Sequence, residues 1–234
     1  MKIPLLTQPS PLEKVIPEEY PNNFEIKLPL IFVLDVSTSM QGEGIRQLNQ
    51  GLKAFEFFFM EDPVALARLE IGILTFGTDI QIAKNFSALG QPAFPELKAG
   101  GRTLMKEGLE NAFKLLESRK SWYKNFGLQY YRPYIIMITD GSPWPNKDLG
   151  HLPEFINQQM EERRFVFQAF GAGKANMRIL TNLSHPEFPP LKISGYDFEN
   201  FFRWLIPSIS IIVSNSIAGN EFTTPKENVF QITL

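Results

Sequence analysis

Residues 28–39 read LPLIFVLDVSTS, an apolar run that stops at an acid and continues into a loop of hydroxyl side chains. The segment from Leu28 to Leu34 has the length and composition of a β-strand that is covered on both faces. Asp35 follows it directly, and Ser37 and Ser39 add hydroxyl groups at alternate positions of the next loop. The stretch therefore predicts a buried strand that brings several oxygen atoms to one edge of a sheet.

The rest of the chain alternates strand patterns with helix patterns. Apolar residues recur every three or four positions from Ile45 to Phe59 and from Met105 to Leu116, which predicts amphipathic helices. Further helices are expected around Pro153 and from about Phe198. Strands are predicted at 69–76, 80–86 (an antiparallel edge), 134–139, 165–170 and 191–193. This order predicts a doubly wound, Rossmann-like α/β fold, a mostly parallel sheet with one antiparallel edge strand and helices on both faces.

The 234 residues are 44% hydrophobic and 21% charged, an ordinary globular composition that can bury a core. Residues 1–27 are rich in proline and charge and show no periodicity, so we expect an irregular N-terminal arm. A single domain over 28–213 and a C-terminal extension over 214–234 complete the predicted organisation.

Charge and cysteine content exclude several classes of function. The formal net charge of −2 gives no general attraction for nucleic acid or anionic lipid. Without cysteine there is no disulfide framework, thiolate zinc site or cysteine nucleophile. The N-terminus shows no export signal, and the apolar stretch 204–213 is too short and too interrupted to span a membrane. We expect a cytoplasmic protein that binds neither nucleic acid nor membrane.

A second acid stands at the end of a second apolar strand, since Asp140 follows IIMIT. Ligands of open parallel sheets gather at the carboxyl ends of the strands, near the point where the strand order reverses. Asp35 and Asp140 should therefore project from the same edge. Carboxylate and hydroxyl oxygens suit a hard divalent cation, Mg²⁺ above all, with Mn²⁺ or Ca²⁺ as alternatives.

These residues resemble the metal-ion-dependent adhesion site of von Willebrand factor A domains. The resemblance is carried by DVSTS at 35–39, by Thr103 in the GGRT segment and by Asp140-Gly141, and it covers about residues 28–213. The GGRT loop and the segment QGEGIRQLNQGLKAF are most similar to bacterial TerY-like proteins, which are associated with tellurite resistance.

The resemblance implies roles for five residues. Ser37 and Ser39 would bind the cation through their hydroxyls, Asp35 and Asp140 directly or through water, and Thr103 in a state-dependent manner. A cation with few direct carboxylate ligands keeps enough charge to accept an Asp or Glu from a protein partner. The expected function is a cation-dependent, non-enzymatic protein-interaction module, and the resemblance to TerY-like proteins implies a bacterial stress or tellurite-resistance system as its context.

Other interpretations of the same residues stay open at this point. Asp35 could be the nucleophile of a magnesium-dependent phosphatase, although Ser37 stands where such enzymes place their second aspartate. The DVSTS segment could be a solvated turn that caps the next helix, and Thr103 could be the N-cap of a helix over 104–118. Trp144 could form the rim of a partner site or simply pack within its loop.

Three further features are assigned structural roles. His151 and His185 have no second ligand at metal spacing and are expected at the surface. The helical spacing of Phe55 and Phe57 to Phe59 favours core packing. The segment GAGKAN at 171–176 resembles half of a dinucleotide fingerprint but lacks the third glycine, so nucleotide binding is not expected.

Overall fold

The computed structural model describes residues 23–90, 92–145 and 148–214. Most of the predicted N-terminal arm (1–27) and C-terminal extension (214–234) thus lies outside the described residues. Residues 23–27 lead into the first strand, where the Lys27 N–H donates to the Gln129 carbonyl at 3.0 Å.

A six-stranded sheet forms the centre of the molecule, in the order β3-β2-β1-β4-β5-β6. β3 is antiparallel to β2, and every other neighbouring pair is parallel. The predicted fold class, mostly parallel with one antiparallel edge, is confirmed. The pairing of β2 with β3 shifts register on either side of Ile73, as at a β-bulge. The strands are β1 (Leu28–Asp35), β2 (Leu69–Phe76), β3 (Ile80–Ala88), β4 (Tyr134–Thr139), β5 (Val166–Gly171) and β6 (Leu191–Lys192).

Helices cover both faces of the sheet. The helices are α1 (Glu43–Met60), α2 (Pro63–Arg68), α3 (Met105–Asn125), α4 (Leu152–Glu161), α5 (Met177–Leu183) and α6 (Phe198–Ser214). Alternate residues of β1 divide between two cores, because Leu30 and Phe32 pack with α1, α2 and α6, whereas Ile31 packs with α3, α4 and α5. Among the described residues, none of the helices is long and apolar enough to cross a membrane.

β1 lies at the point where the strand order reverses. Its two neighbours are β2 and β4, with Leu34 level with Thr75 on one side and with Ile138 on the other. The chain leaves β1 and β4 in opposite directions, so their carboxyl ends border a crevice. Asp35 and Asp140 are therefore adjacent.

Several element boundaries and one packing prediction need correction. α3 begins at Met105 rather than 104 and ends at Asn125 rather than 118, while β5 is displaced by one residue. Of the four phenylalanines expected in the core, Phe55 and Phe59 are fully buried, but Phe57 is 70% exposed and Phe58 48%. The spacing argument was wrong for these two, which lie outside the buried stripe of α1.

Candidate metal centre

Asp35 ends β1 with its side chain fully buried. Its Oδ1 accepts the Ser37 N–H at 2.8 Å, and its Oδ2 accepts the Thr139 hydroxyl at 2.6 Å. Burial raises the pKa of Asp35 to about 6; the hydrogen bonds from Ser37 and Thr139 oppose that rise, and the charge of Asp140 adds to it. The folded chain thus fixes a carboxylate whose ionised form lacks favourable solvation.

Asp140 immediately follows β4 and is also buried. The Ser39 hydroxyl donates to its Oδ1 at 2.6 Å, across 101 positions of the chain. The Ser37 and Ser39 hydroxyl oxygens are 3.1 Å apart. The structure therefore brings Ser37, Ser39, Asp35 and Asp140 into one hydrogen-bonded cluster, as the sequence predicted. Ser39 is the exposed member.

Thr103 reaches the same cluster from the loop before α3. A methyl group built on Gly141 would lie 3.1 Å from Thr103 Oγ1 and 3.6 Å from Asp35 Oδ2. The N-cap position of α3 is Leu104, with no side-chain cap bond, so the alternative role of Thr103 as N-cap is wrong. The DVSTS segment contains a 3-10 helix (Thr38–Met40) whose N-cap position is Ser37 without a side-chain cap bond, and Gly42 occupies the cap position of α1, so no DVSTS side chain caps either helix.

The loops that carry these residues are tied to one another by the backbone. The Thr38 N–H and hydroxyl both donate to the Gly101 carbonyl, at 3.0 and 2.9 Å, and the Gly100 N–H donates to the Val36 carbonyl at 2.7 Å. Gly101 has φ +82°, and a Cβ there would overlap Thr78. Glycine is thus required where the Thr103 loop approaches the DVSTS loop.

Tyr196, in the loop between β6 and α6, was not among the predicted site residues. Its hydroxyl donates to Asp140 Oδ2 at 2.7 Å, and its ring lies over Gly44 and Gly173. Burial, together with the hydrogen bond to Asp140, raises the pKa of Tyr196 to about 12. Thr139, the last residue of β4, was also missed, although its position beside Asp140 in the sequence could have indicated it.

The residues of this cluster fit a hard divalent cation. Its donors are two carboxylates and three hydroxyls, and it contains no nitrogen or sulfur ligand. Within the described ranges, neither Asp35 nor Asp140 forms a salt bridge with a basic side chain. The same part of the chain holds no group of three or more His, Cys, Asp or Glu residues suited to a metal. Two adjacent buried carboxylates without a cationic partner are disfavoured in their ionised form unless a cation or a proton neutralises them.

Trp144 and Arg102 border the cluster on its solvent side. The Trp144 N–H donates to the Thr103 carbonyl at 3.0 Å, while its side chain remains 42% exposed. The Arg102 guanidinium carbon lies 3.8 Å from the centre of a Trp144 ring, a cation–π contact. Trp144 is therefore both partly exposed and packed against Arg102, so the rim and packing interpretations both stay open.

The structure places the remaining candidates away from the cluster. His151 is exposed at the start of α4, and the partly buried His185 accepts the Glu187 N–H through Nδ1 at 3.2 Å. In the 171–176 segment, the Gly173 N–H donates to the Gly195 carbonyl, and the Asn176 side chain caps α5. These contacts give the segment a structural role.

Comparison with known proteins identifies the type of fold. Residues 30–142 match the family model described as von Willebrand factor type A domain. No curated protein sequence gives a significant match.

Solved structures agree with this result. Proximal thread matrix protein 1 (PTMP1) from the mussel byssus superimposes with a TM-score of 0.56 at 18% identity, over 79% of this chain and 47% of that one. A form of PTMP1 with a zinc-occupied MIDAS motif superimposes with a TM-score of 0.55 at 18% identity, again over 79% of this chain and 47% of that one. The vWF domain of the type V pili tip protein Mfa5 from Porphyromonas gingivalis superimposes with a TM-score of 0.59 at 10% identity, over 84% of this chain and 99% of that one. This chain spans about half the length of the PTMP1 chains, and the likeness shows a von Willebrand factor A-like fold.

Proposed function

We propose that this von Willebrand factor A-like domain binds one divalent cation at Asp35, Ser37, Ser39, Thr103 and Asp140, and through it a carboxylate of a protein partner. The observation that carries the proposal is the pair of buried carboxylates from β1 and β4. Asp35 accepts the Ser37 N–H, Asp140 accepts the Ser39 hydroxyl, and neither forms a salt bridge within the described residues. The zinc-occupied MIDAS of PTMP1 supports a cation at a site of this type.

The five side chains would contribute two kinds of ligand to the cation. Asp35 and Asp140 supply negative charge, and the hydroxyls of Ser37, Ser39 and Thr103 supply neutral oxygens. A cation bound by so few carboxylates would offer a Lewis-acidic position to an incoming carboxylate. Ser39 is exposed, and the Arg102 and Trp144 pair borders the same side, so the partner's Asp or Glu is expected to enter there.

The finer parts of the proposal rest on donor chemistry and on the sequence resemblance. Mg²⁺ is the expected ion because all the donors are hard oxygens, with Mn²⁺ and Ca²⁺ as alternatives. The TerY-like resemblance supports a cytoplasmic protein of a bacterial stress or tellurite-resistance system. A non-enzymatic role is supported by Asp35, which has no exposed surface and accepts a hydrogen bond at each carboxylate oxygen, an arrangement unsuited to a nucleophile.

Thermal unfolding of the full chain in Mg²⁺, Mn²⁺ or chelator tests cation binding. Each cation should raise the unfolding temperature of the wild type, with about 2.7 kcal/mol of stabilisation at a hundredfold excess over the dissociation constant. Asp140→Asn should remove this response. The matched control is Asp148→Asn, which changes an exposed aspartate outside the cluster and should respond like the wild type. An equal response of all three proteins would show that the cation binds elsewhere.

Screening against phosphate monoesters, diesters and nucleotides tests the phosphatase alternative. No turnover is expected, because the cluster contains no positioned general base. Magnesium-dependent turnover that disappears in Asp35→Asn would replace the binding proposal with a hydrolase.

A further inference from the structure

A groove of about 460 Å³ runs between the first turns of α1 and the segment 96–99. Its volume is in the range of cavities that hold ligands. The α1 side is formed by residues that include Ile45, Asn49 and Lys53, and the opposite wall by Glu96 to Ala99.

Hydrogen bonds to α1 hold the opposite wall in place. The Asn49 amide donates to the Leu97 carbonyl at 2.9 Å and accepts the Leu97 N–H at 2.8 Å. The Phe94 N–H, just before this wall, donates to both oxygens of the buried Glu56 carboxylate at 3.0 and 3.1 Å. The groove is therefore preformed, and a ligand would not have to order its walls.

Both walls of the groove begin close in sequence to the loops of the candidate metal centre. Gln41, which follows the DVSTSM segment, lines it, and its side-chain amide lies 3.5 Å from the Ala99 carbonyl. Immediately beyond Ala99, Gly100 and Gly101 make the backbone hydrogen bonds that border Ser37 and Ser39. The groove therefore lies next to the loops that carry Ser37, Ser39 and Thr103.

The charge of the groove is positive, in contrast to that of the whole chain. Its lining contains Arg46, Lys53 and Lys98 against the single acid Glu96. Glu43 pairs with Arg46 at 2.9 Å, whereas the exposed Lys53 and Lys98 form no salt bridge within the described ranges. Two lysine ammonium groups on opposite walls thus remain available to a ligand.

We infer that this groove binds acidic residues that flank the metal-bound carboxylate of the partner, so that the partner presents an extended, acidic peptide segment. The inference rests on the proposed function and adds the chemistry of the partner to it. The carboxylate at the cation would fix the position of the segment, and Lys53 and Lys98 would select the flanking acids and reject basic ones.

Selection from peptide-display libraries tests the inference. Each peptide has nine residues with randomised flanks; one library carries Asp at its centre and a companion carries Asn. Both are selected on the folded full chain in Mg²⁺ and in chelator. The test variant combines Lys53→Glu with Lys98→Glu. The matched control combines Lys114→Glu with Lys124→Glu, two exposed lysines of α3 on the other face of the sheet.

In Mg²⁺ the wild type and the control should select Asp-centred peptides with further acids on one side of the centre. The test variant should lose that flanking preference, and its affinity for the best wild-type peptide should fall about tenfold or more. Its thermal response to Mg²⁺ should be unchanged, which shows that the metal centre is intact.

Two outcomes would overturn the inference and leave the proposed function standing. The first is that the wild type selects peptides whose flanking residues show no preference for acids. The second is that the test variant selects the same flanking acids as the wild type. Failure of the Asp library to exceed the Asn library in Mg²⁺ would instead contradict the proposed function itself. A labelled single-stranded oligonucleotide that competes with the peptide and loses affinity in the test variant would identify the groove as a phosphate-binding surface and also overturn the inference.

Discussion

Tyr196 contributes a hydroxyl that orients Asp140 at the candidate metal centre. It donates to Asp140 Oδ2, while Ser39 donates to Oδ1, so both oxygens of that carboxylate are held in fixed directions. Partners of this kind commonly set the affinity of a metal site.

Tyr196→Phe should therefore weaken Mg²⁺ affinity about tenfold, with little loss of stability in chelator. Isothermal titration of the cation measures this directly. Tyr130→Phe is the control, since the Tyr130 ring packs on Tyr123 elsewhere in the molecule. Equal affinity of Tyr196→Phe and the wild type would show that the hydroxyl has no orienting role.

Lys84 carries a charge that the fold disfavours. Its side chain on β3 is buried, and burial lowers its pKa from 10.5 to about 8, an effect that Glu56 and Glu70 only partly offset. The folded state therefore prefers the neutral amine more than the unfolded state does. The charged lysine therefore lowers the free energy of unfolding. This free energy is highest above about pH 10.5, where Lys84 is neutral in both states, and it decreases as the pH falls to about 8.

Lys84→Met should accordingly be more stable than the wild type at pH 7, by about 1 kcal/mol. The difference should narrow as the pH rises from 8 to 10.5. Urea unfolding of both proteins across this range measures it, with Lys114→Met on α3 as the exposed control. A pH-independent difference would contradict the assigned titration.

The loop between β3 and α3 approaches the candidate metal centre at Gly101, where a side chain would not fit. Gly101→Ala would place a methyl group against Thr78 at a positive φ, whereas a methyl group on Gly100 meets no atom within 4 Å. Backbone strain of this kind is worth about 1–3 kcal/mol.

We expect Gly101→Ala to lower the free energy of unfolding by that amount and to remove most of the Mg²⁺ response, because the Thr38 hydrogen bonds to Gly101 would shift. Gly100→Ala should retain both properties. The assay is thermal unfolding with and without Mg²⁺. Identical behaviour of the two alanine variants would mean that the loop accommodates a side chain at either position.

Elements with a strong local signal were predictable from the sequence. β2 and β4 have the predicted bounds, because each is an uninterrupted apolar run that ends at a turn or an acid. The short helix α2 was not predicted, although Asp62 caps it and Pro63 begins it. Six residues contain too few turns for a periodicity to be recognised.

The errors on α1 have a geometric cause. At 100° per residue, Phe59 lies within about 40° of Phe55 around the helix, but Phe57 lies about 200° away. A run of phenylalanines suggested one core surface, whereas the helix distributes them over several. The site residues at strand ends followed from topology; Tyr196 did not, because its position depends on how a distant loop packs against Gly44 and Gly173.

At the scale of the whole molecule, the candidate metal centre joins parts of the chain that are far apart in sequence. Ser39 and Asp140 are separated by 101 positions, and Asp35 and Thr139 by 104. Because contacts between distant residues carry a loop-closure cost, we expect them to form after the sheet has closed around β1 and β4. The cation should therefore stabilise the native state without assisting the earlier steps of folding.

Stopped-flow refolding and unfolding of the full chain in Mg²⁺ and in chelator should show this. At a hundredfold excess of Mg²⁺ over its dissociation constant, unfolding should slow about a hundredfold while the refolding rate stays constant. In the Asp140→Asn variant, Mg²⁺ should change neither the unfolding rate nor the refolding rate. Faster refolding in Mg²⁺ would mean that the site already exists in the transition state.

The two edges of the sheet are both poor templates for another strand. β6 has only two residues, and β3 pairs with β2 through the register shifts at Ile73. Short edges and bulged edges prevent a foreign strand from continuing the hydrogen-bond ladder. The native domain should therefore resist edge-to-edge aggregation even at high protein concentration, and amyloid-like association would require that the sheet first open.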